Sequence, residues 1–308
     1  MYRSDVHKLL RVLFPVILVL LFFETALRLT PDGYSKKVQV LERNKENAEV
    51  LITGNSQALY GINPEWLSLP AINLAFVNQD LWYDRQVILH SIQQMPELKL
   101  VLLQLNYLSF GYRLDKISES WRCAFYANRF NFDKPYDEIL LRDFSFLALY
   151  TPRIALSWLR NGFQSSGTFT MNQFGFESVP PSASVAVSDS SAAFWTRRHQ
   201  SFMSFENFRR NARILEDLAD SLLSRNIQLV IVSAPLTPGY RKFCDSGILM
   251  ENNRIVSRLV SSGKALYWDF RSDSDFLKQD FLDDYHLNHN GGQKWSAKID
   301  AVIKKTGF

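Results

Sequence analysis

The sequence predicts an α/β protein: a three-layer sandwich on a central, mostly parallel sheet, preceded by one N-terminal transmembrane helix. Three observations predict it. Short apolar runs, each long enough for one buried strand, recur at residues 50–53, 99–105 and 229–233. Between them lie stretches whose apolar residues repeat at helical spacing, and strands alternating with helices build parallel, helix-covered sheets. The first 30 residues carry an apolar run about long enough to cross a bilayer.

The chain has 308 residues and a net charge of only +4, which gives no argument for nucleic acid, since that would need a concentrated basic face. Many aromatics imply a sizeable core, and no repeat of solenoid or propeller period is present.

Taken in order, residues 12–23 are apolar without interruption, Pro15 included, and flanking apolar residues extend the run to Leu9 and Leu29. Arg11, Glu24 and Arg28 lie near its ends, where long side chains can snorkel. Arg3, Lys8 and Arg11 precede it, which favours a cytoplasmic N-terminus, although Lys36, Lys37, Arg43 and Lys45 follow it. No small-x-small cleavage pattern comes after the run, so an uncleaved signal anchor is expected over residues 1–30 rather than a cleaved peptide or a buried helix. Residues 31–308 form the expected second domain. Its first part, 31–48, is polar and reads as a tether.

Residues 50–57, Val-Leu-Ile-Thr-Gly-Asn-Ser-Gln, read as a buried strand ending in a tight turn. In open α/β sheets ligands sit at the carboxyl ends of strands, so Ser56 is well placed for chemistry. By itself a Gly-x-Ser more often marks a helix cap. Residues 71–76 read as a second strand, 80–95 as a helix stopped by Pro96, and 99–105 as a strand ending at Asn106. An insertion is expected over about 107–200. Its first part, 107–163, is aromatic-rich and helical in places, and 164–192 is a serine-rich surface loop. Order returns with an apolar stripe from Phe205 to Leu222. A strand at 229–233, a helix at about 249–259, a strand at 265–270 and a helix at about 292–304 follow.

The second chemical signal is Asp283-Asp284-Tyr285-His286. A serine hydroxyl is a poor nucleophile until a base takes its proton, and histidine does this near neutral pH if an acid fixes its tautomer. Asp283 can fold back onto the ring of His286. Asn106, and backbone N–H groups near Ser56 and Ala75, can donate to a developing oxyanion. His90 and His289 are read as structural. Cys123 and Cys244, the only cysteines, fit no zinc spacing and are taken as two separate buried thiols, with one disulfide as the alternative. A metal hydrolase would need more ligands than His286 and His289 offer. The chemistry calls for no cofactor.

These residues resemble the SGNH (GDSL-like) hydrolase superfamily. More closely, they resemble its membrane-anchored branch, which includes the alginate O-acetylation proteins and the D-alanyl-lipoteichoic acid transfer protein. The resemblance rests on four blocks over about residues 48–304: Gly54-Asn55-Ser56, Asn73-Leu74-Ala75, Gln104-Leu105-Asn106-Tyr107 and Asp283-x-x-His286, the last continuing Leu287-Asn288. Two positions depart from the family pattern, since Ala75 and Gln104 stand where glycines are usual. The resemblance implies a flavodoxin-like fold. It also implies Ser56, Asp283 and His286 as a triad, and Asn106 with the Ala75 N–H as oxyanion donors. The implied activity is removal or transfer of an acyl group, acetyl first, on a cell-surface polysaccharide outside the cytoplasm. Its partners would be an acylated glycan or acyl donor, the membrane, and a multi-pass acyl-transfer membrane protein. The rival reading is a catalytically silent binding or assembly protein of the same fold.

Overall fold

The computed structural model describes residues 2–150 and 170–308. They divide into two compact units, residues 2–36 with 121–150 and residues 37–120 with 170–308.

The larger unit holds a five-stranded sheet. Its strands are β1 (Val50–Thr53), β2 (Ala71–Asn73), β3 (Leu100–Gln104), β6 (Gln228–Ser233) and β7 (Leu266–Asp269), arranged in the order β2-β1-β3-β6-β7. All its pairings are parallel, with Val50 opposite Ala71 and Leu100, Leu100 opposite Gln228, and Val230 opposite Leu266. A parallel strand covered on both faces is apolar throughout rather than alternating, and every residue of β1 and β3 is buried. On one face Val50, Ile52, Leu100, Leu102, Val230 and Val232 pack with the helices Ser56–Gly61 and His289–Thr306. The helices Leu81–Ser91, Phe205–Leu223 and Ser246–Ser261 cover the other face. Trp295, fully buried, lies against Gly61, where an added Cβ would come within 2.6 Å of the indole. The helix that begins at Ser56 is thereby packed on the helix that follows His286.

Within the described residues most strands and helices fall where the sequence places them, and two segments differ outright. Residues 31–48 are no tether: Gly33–Asn44 is a helix, and Val40 and Leu41 on it are buried. The inner stripe also contains Lys37, only 1% exposed, whose Nζ donates to Asn73 O (2.7 Å) and Gly175 O (2.6 Å). Burial pushes its amine down to about 7. A lysine on the inward face conceals an amphipathic pattern that counts lysine as outward. Second, the part of 164–192 within the described residues is not one loop. Strands β4 (Thr170–Met171) and β5 (Glu177–Ser178) form an antiparallel hairpin, Phe176 and Val179 beside it are buried, and a helix, Asp189–Gln200, starts at the Ser188 cap. Residues 164–169 lie outside the described residues.

The smaller unit contains the helix Tyr2–Leu29. Its segment His7–Leu29 is, among the described residues, the one helix long and apolar enough to cross a membrane, with mean hydropathy 2.2. Leu9, Leu10 and residues 12–14 and 16–22 on it are exposed apolar positions, the state that a lipid-facing helix requires. Near its end Glu24 accepts N–H bonds from Phe146 (2.9 Å) and Leu147 (3.0 Å), capping the helix Phe146–Leu149. Arg129 donates to Asp32 (2.8 Å) and to Arg28 O (2.8 Å). Cys123 is buried in this unit, while Cys244 in the larger unit is half-buried with its Sγ 3.4 Å from Tyr240 O.

Candidate active site

The site is built from the end of β1. Gly54 has φ +134, a region that L side chains rarely adopt, and a Cβ there would meet Gln104 Cβ and O at 2.8 Å. Both reasons demand glycine. Asn55 then caps the helix Ser56–Gly61 by accepting from Gln57 N (3.0 Å). Ser56 is therefore the first helical residue, held just past the sheet's carboxyl edge. Asn73 ties this helix to β2, donating to Ala58 O and Ile62 O, both at 2.9 Å.

Ser56 Oγ lies 2.7 Å from His286 Nε2. On the other side of the ring, His286 Nδ1 lies 2.9 Å from Asp283 Oδ2. The second oxygen of Asp283 accepts from Tyr285 N (2.9 Å) and His286 N (2.8 Å). Burial works to raise the Asp283 carboxyl. The imidazole charge, its hydrogen bond and the two N–H donors outweigh burial and hold it below the usual range. An ionised Asp283 accepting at Nδ1 leaves Nε2 bare to accept the serine proton. Asp284 points elsewhere. It is 1% exposed, its Oδ1 has no partner among the described residues, its backbone carbonyl accepts from Thr237 Oγ1 (2.8 Å), and burial raises its pKa.

A cavity of about 300 Å³ opens over the serine, walled by Tyr60, Asn78, Asn106, Trp195, Tyr285 and His286 among others. Asn106 Oδ1 accepts from Leu108 N (2.9 Å) and Ser109 Oγ (3.1 Å). Its amide N–H₂ makes no hydrogen bond among the described residues, and Asn106 lines the same cavity as Ser56. Ala75 does not match the expectation. It is fully buried in the core below the site, and its N–H donates to Asn73 Oδ1 (2.9 Å). Strand β2 ends at Asn73, three residues earlier than expected, but the chain beyond it stays bonded alongside β1, with Leu74 N donating to Ile52 O (2.8 Å) and Phe76 N to Gly54 O (3.1 Å), and this keeps Ala75 in the core. The loop residues that do reach the cavity are Val77, Asn78, Gln79 and Asp80, and Asn78 has φ +58. Asparagine is among the few side chains that adopt this left-handed turn readily, and no glycine marks it in the sequence.

Gln104 also has its own work. Its Oε1 accepts from Asn55 N (3.3 Å), its Nε2 donates to Gln57 Oε1 (2.8 Å), and Gln57 Nε2 donates to Tyr285 O (2.7 Å). This buried relay ties the serine turn to the histidine loop. On the floor of the turn, Thr53 Oγ1 donates to Asp84 Oδ1 (2.6 Å), and Gln79 Nε2 donates to the same oxygen (2.7 Å). Burial pushes the Asp84 carboxyl up to about 7.

His199 reaches the cavity from the helix Asp189–Gln200, and no sequence pattern signals it. Its Nδ1 is 2.6 Å from Tyr240 Oη, and its ring packs edge-to-face on Tyr285 with centroids 4.6 Å apart. Burial pushes it down to about 4, so it is neutral at neutral pH. Tyr285 in turn packs on His286 at 4.1 Å. His289 bonds Ser178 Oγ through Nδ1 (3.0 Å) and packs on Trp66, and His90 bonds Gln94 (2.7 Å); neither touches Ser56.

No family model matches the chain, and no curated protein does. Among solved structures, it is similar to a protein from Bacteroides fragilis assigned as an acylhydrolase (11% identical, covering 87% of this chain and 96% of that one, TM-score 0.41). It is also similar to a GDSL-like lipase from Bacteroides thetaiotaomicron (10%, 89% and 100%, TM-score 0.40). A third is a carbohydrate acetylesterase family member from Sinorhizobium meliloti (10%, 83% and 98%, TM-score 0.37). Likenesses this distant carry no argument about activity. The fold and the site define, on their own, a parallel α/β protein with serine, histidine and aspartate in hydrogen-bonded sequence at its sheet's carboxyl edge.

Proposed function

We propose that the protein is a serine acyl-esterase or O-acyltransferase of the SGNH (GDSL-like) kind, in the membrane-anchored branch. Residues 1–30 are its single-pass anchor. Residues 31–308 are its catalytic domain, outside the cytoplasm, acting on acyl groups, acetyl first, of a cell-surface polysaccharide. The observation that carries the reading is the continuous contact Ser56 Oγ–His286 Nε2–Asp283 Oδ2, at 2.7 and 2.9 Å.

Ser56 Oγ attacks the acyl carbonyl while His286 Nε2 takes its proton. Asp283 stabilises the imidazolium that forms. The Asn106 amide, with backbone N–H groups at Ser56 and Asn78, supports the oxyanion; Asn78 replaces Ala75 in that role. When the tetrahedral intermediate collapses, His286 returns the proton to the leaving oxygen and an acyl-serine remains. Water or a sugar hydroxyl, deprotonated by His286, then takes the acyl group. A multi-pass membrane protein supplying acyl groups is the partner a transferase would need.

The test is mass spectrometry after a short reaction with p-nitrophenyl acetate. Wild type should carry one acetyl group on Ser56. Ser56→Ala should carry none there and lose turnover by about 10⁴-fold or more. Unchanged turnover in Ser56→Ala would remove the assignment, and failure of wild type to react with any serine-directed probe would favour the binding-protein reading.

A further inference from the structure

A second cavity, also of about 300 Å³, lies beyond the carboxyl ends of β3, β6 and β7. Asn106 lines both cavities, so the two are neighbours across that side chain. The walls of the second are mainly apolar, formed by Leu105, Phe110, Ile231, Leu249 and Val256. Two polar groups in them are incomplete. Asn252, on the helix Ser246–Ser261, is 7% exposed; its Nδ2 donates to Tyr107 O (3.0 Å), but its Oδ1 has no partner among the described residues. Arg241, on the helix Pro238–Phe243, has a buried Nε without a partner, and no carboxylate pairs with it among the described residues. The other arginine in the wall, Arg271, is already held by both oxygens of Asp269 (2.8 and 2.7 Å).

Buried polar atoms are almost always paired, and each one left bare costs on the order of 1–3 kcal/mol. Two such atoms in one apolar cavity define the complement they lack. A bare cationic donor calls for an anion, and a bare amide oxygen calls for an O–H or N–H. The rest of the wall calls for hydrocarbon. The size is at the lower end of the range that takes small organic ligands, about 300–1,000 Å³.

We propose that this cavity binds a small hydroxy-carboxylate with an apolar body. The carboxylate bonds Arg241, the hydroxyl donates to Asn252 Oδ1, and the apolar part lies against Leu105, Ile231 and Val256. An occupant would also touch Asn106 from the side away from Ser56. The site does not depend on the serine chemistry and is tested apart from it.

The test is calorimetric titration of phenyllactate into the full chain in detergent. Saturable binding is expected in wild type and equally in Ser56→Ala. Arg241→Gln should weaken it by about 10-fold or more, since it removes a charge-assisted bond. Asn252→Leu should weaken it by roughly 10-fold. Phenylpropionate, which lacks the hydroxyl, should bind wild type more weakly than phenyllactate; this comparison needs no variant to fold. Val256→Phe fills the space while keeping both polar side chains in the sequence and should abolish binding. Absence of saturable binding would overturn the proposal, as it would mean that ordered water completes these atoms. So would binding that survives both Arg241→Gln and Val256→Phe, or equal affinity for the two acids.

Discussion

Two carboxylates flank the serine, one behind the histidine and one beneath the nucleophile turn, and their pKa values are pushed in opposite directions. Burial pushes on both in the same direction. Asp84 goes up to about 7 because its compensation is mainly neutral, from the Thr53 hydroxyl and the Gln79 amide, with the Asp80 carboxylate nearby adding to the rise. Asp283 goes down because two backbone N–H groups and an imidazole that can carry charge more than offset its burial. Burial alone therefore does not decide a carboxyl group's state; with three donors on each, the charge of the neighbouring groups separates the two. In this reading Asp283 is equipped to stabilise a developing cation. Asp84 is a structural acid that keeps the strand end and the following loop together.

The largest test of that contrast is Asp283→Asn. The amide keeps a hydrogen-bonding group but no counter-charge, and it favours the wrong tautomer of His286. We expect kcat/KM on an activated acetyl ester to fall by up to about 10⁴-fold. If activity persists near wild type while His286→Ala abolishes it, the site is a serine–histidine dyad and the distinction between the two acids loses its catalytic meaning.

Asn106→Ala comes next. Loss of one oxyanion donor lowers kcat by about 10²–10³-fold with a smaller effect on KM. A change confined to KM would place Asn106 against ground-state substrate instead.

Asp84→Asn should act on stability. A carboxyl with a higher pKa folded than unfolded binds its proton more tightly in the folded state. It therefore favours the fold at low pH, and the advantage is lost as pH rises from the unfolded value near 3.8 through about 7. Asparagine cannot ionise, so the Tm of the variant relative to wild type should increase between pH 5 and pH 8, by an amount worth up to a few kcal/mol. A Tm difference that stays flat over this range would mean that Asp84 is ionised throughout.

The smallest effect is expected for Asp284→Asn. Its carboxyl makes no bond to His286, so activity should stay within about 3-fold of wild type, well inside the range of residues outside the triad. Large loss here, with Asp283→Asn near normal, would reverse the assignment of the acid.

Much of this arrangement is legible in the sequence because its causes are local. Runs such as Val50–Thr53 and Leu100–Gln104 are apolar because both faces of a parallel strand are covered, and the Gly54-Asn55-Ser56 turn is dictated by φ at Gly54 and the Asn55 cap. Asp283 reaches His286 across three residues, a distance the chain itself sets. What the sequence does not disclose depends on groups remote along the chain. Lys37 is buried because the carbonyls of Asn73 and Gly175 complete its ammonium group. Ala75 is held in the core because its neighbours Leu74 and Phe76 donate to Ile52 O and Gly54 O of the distant β1 segment, and Asn78 reaches the cavity by a turn that no glycine announces. His199 comes to His286 through Tyr285 and Tyr240 from separate segments. Sequence by itself determined the strands, the turn and the acid–histidine spacing, since periodicity, backbone sterics and short-range reach fix them. Only the tertiary structure decided which donors remain free at the serine, because a hydrogen-bonding group is available only if no distant partner has already taken it.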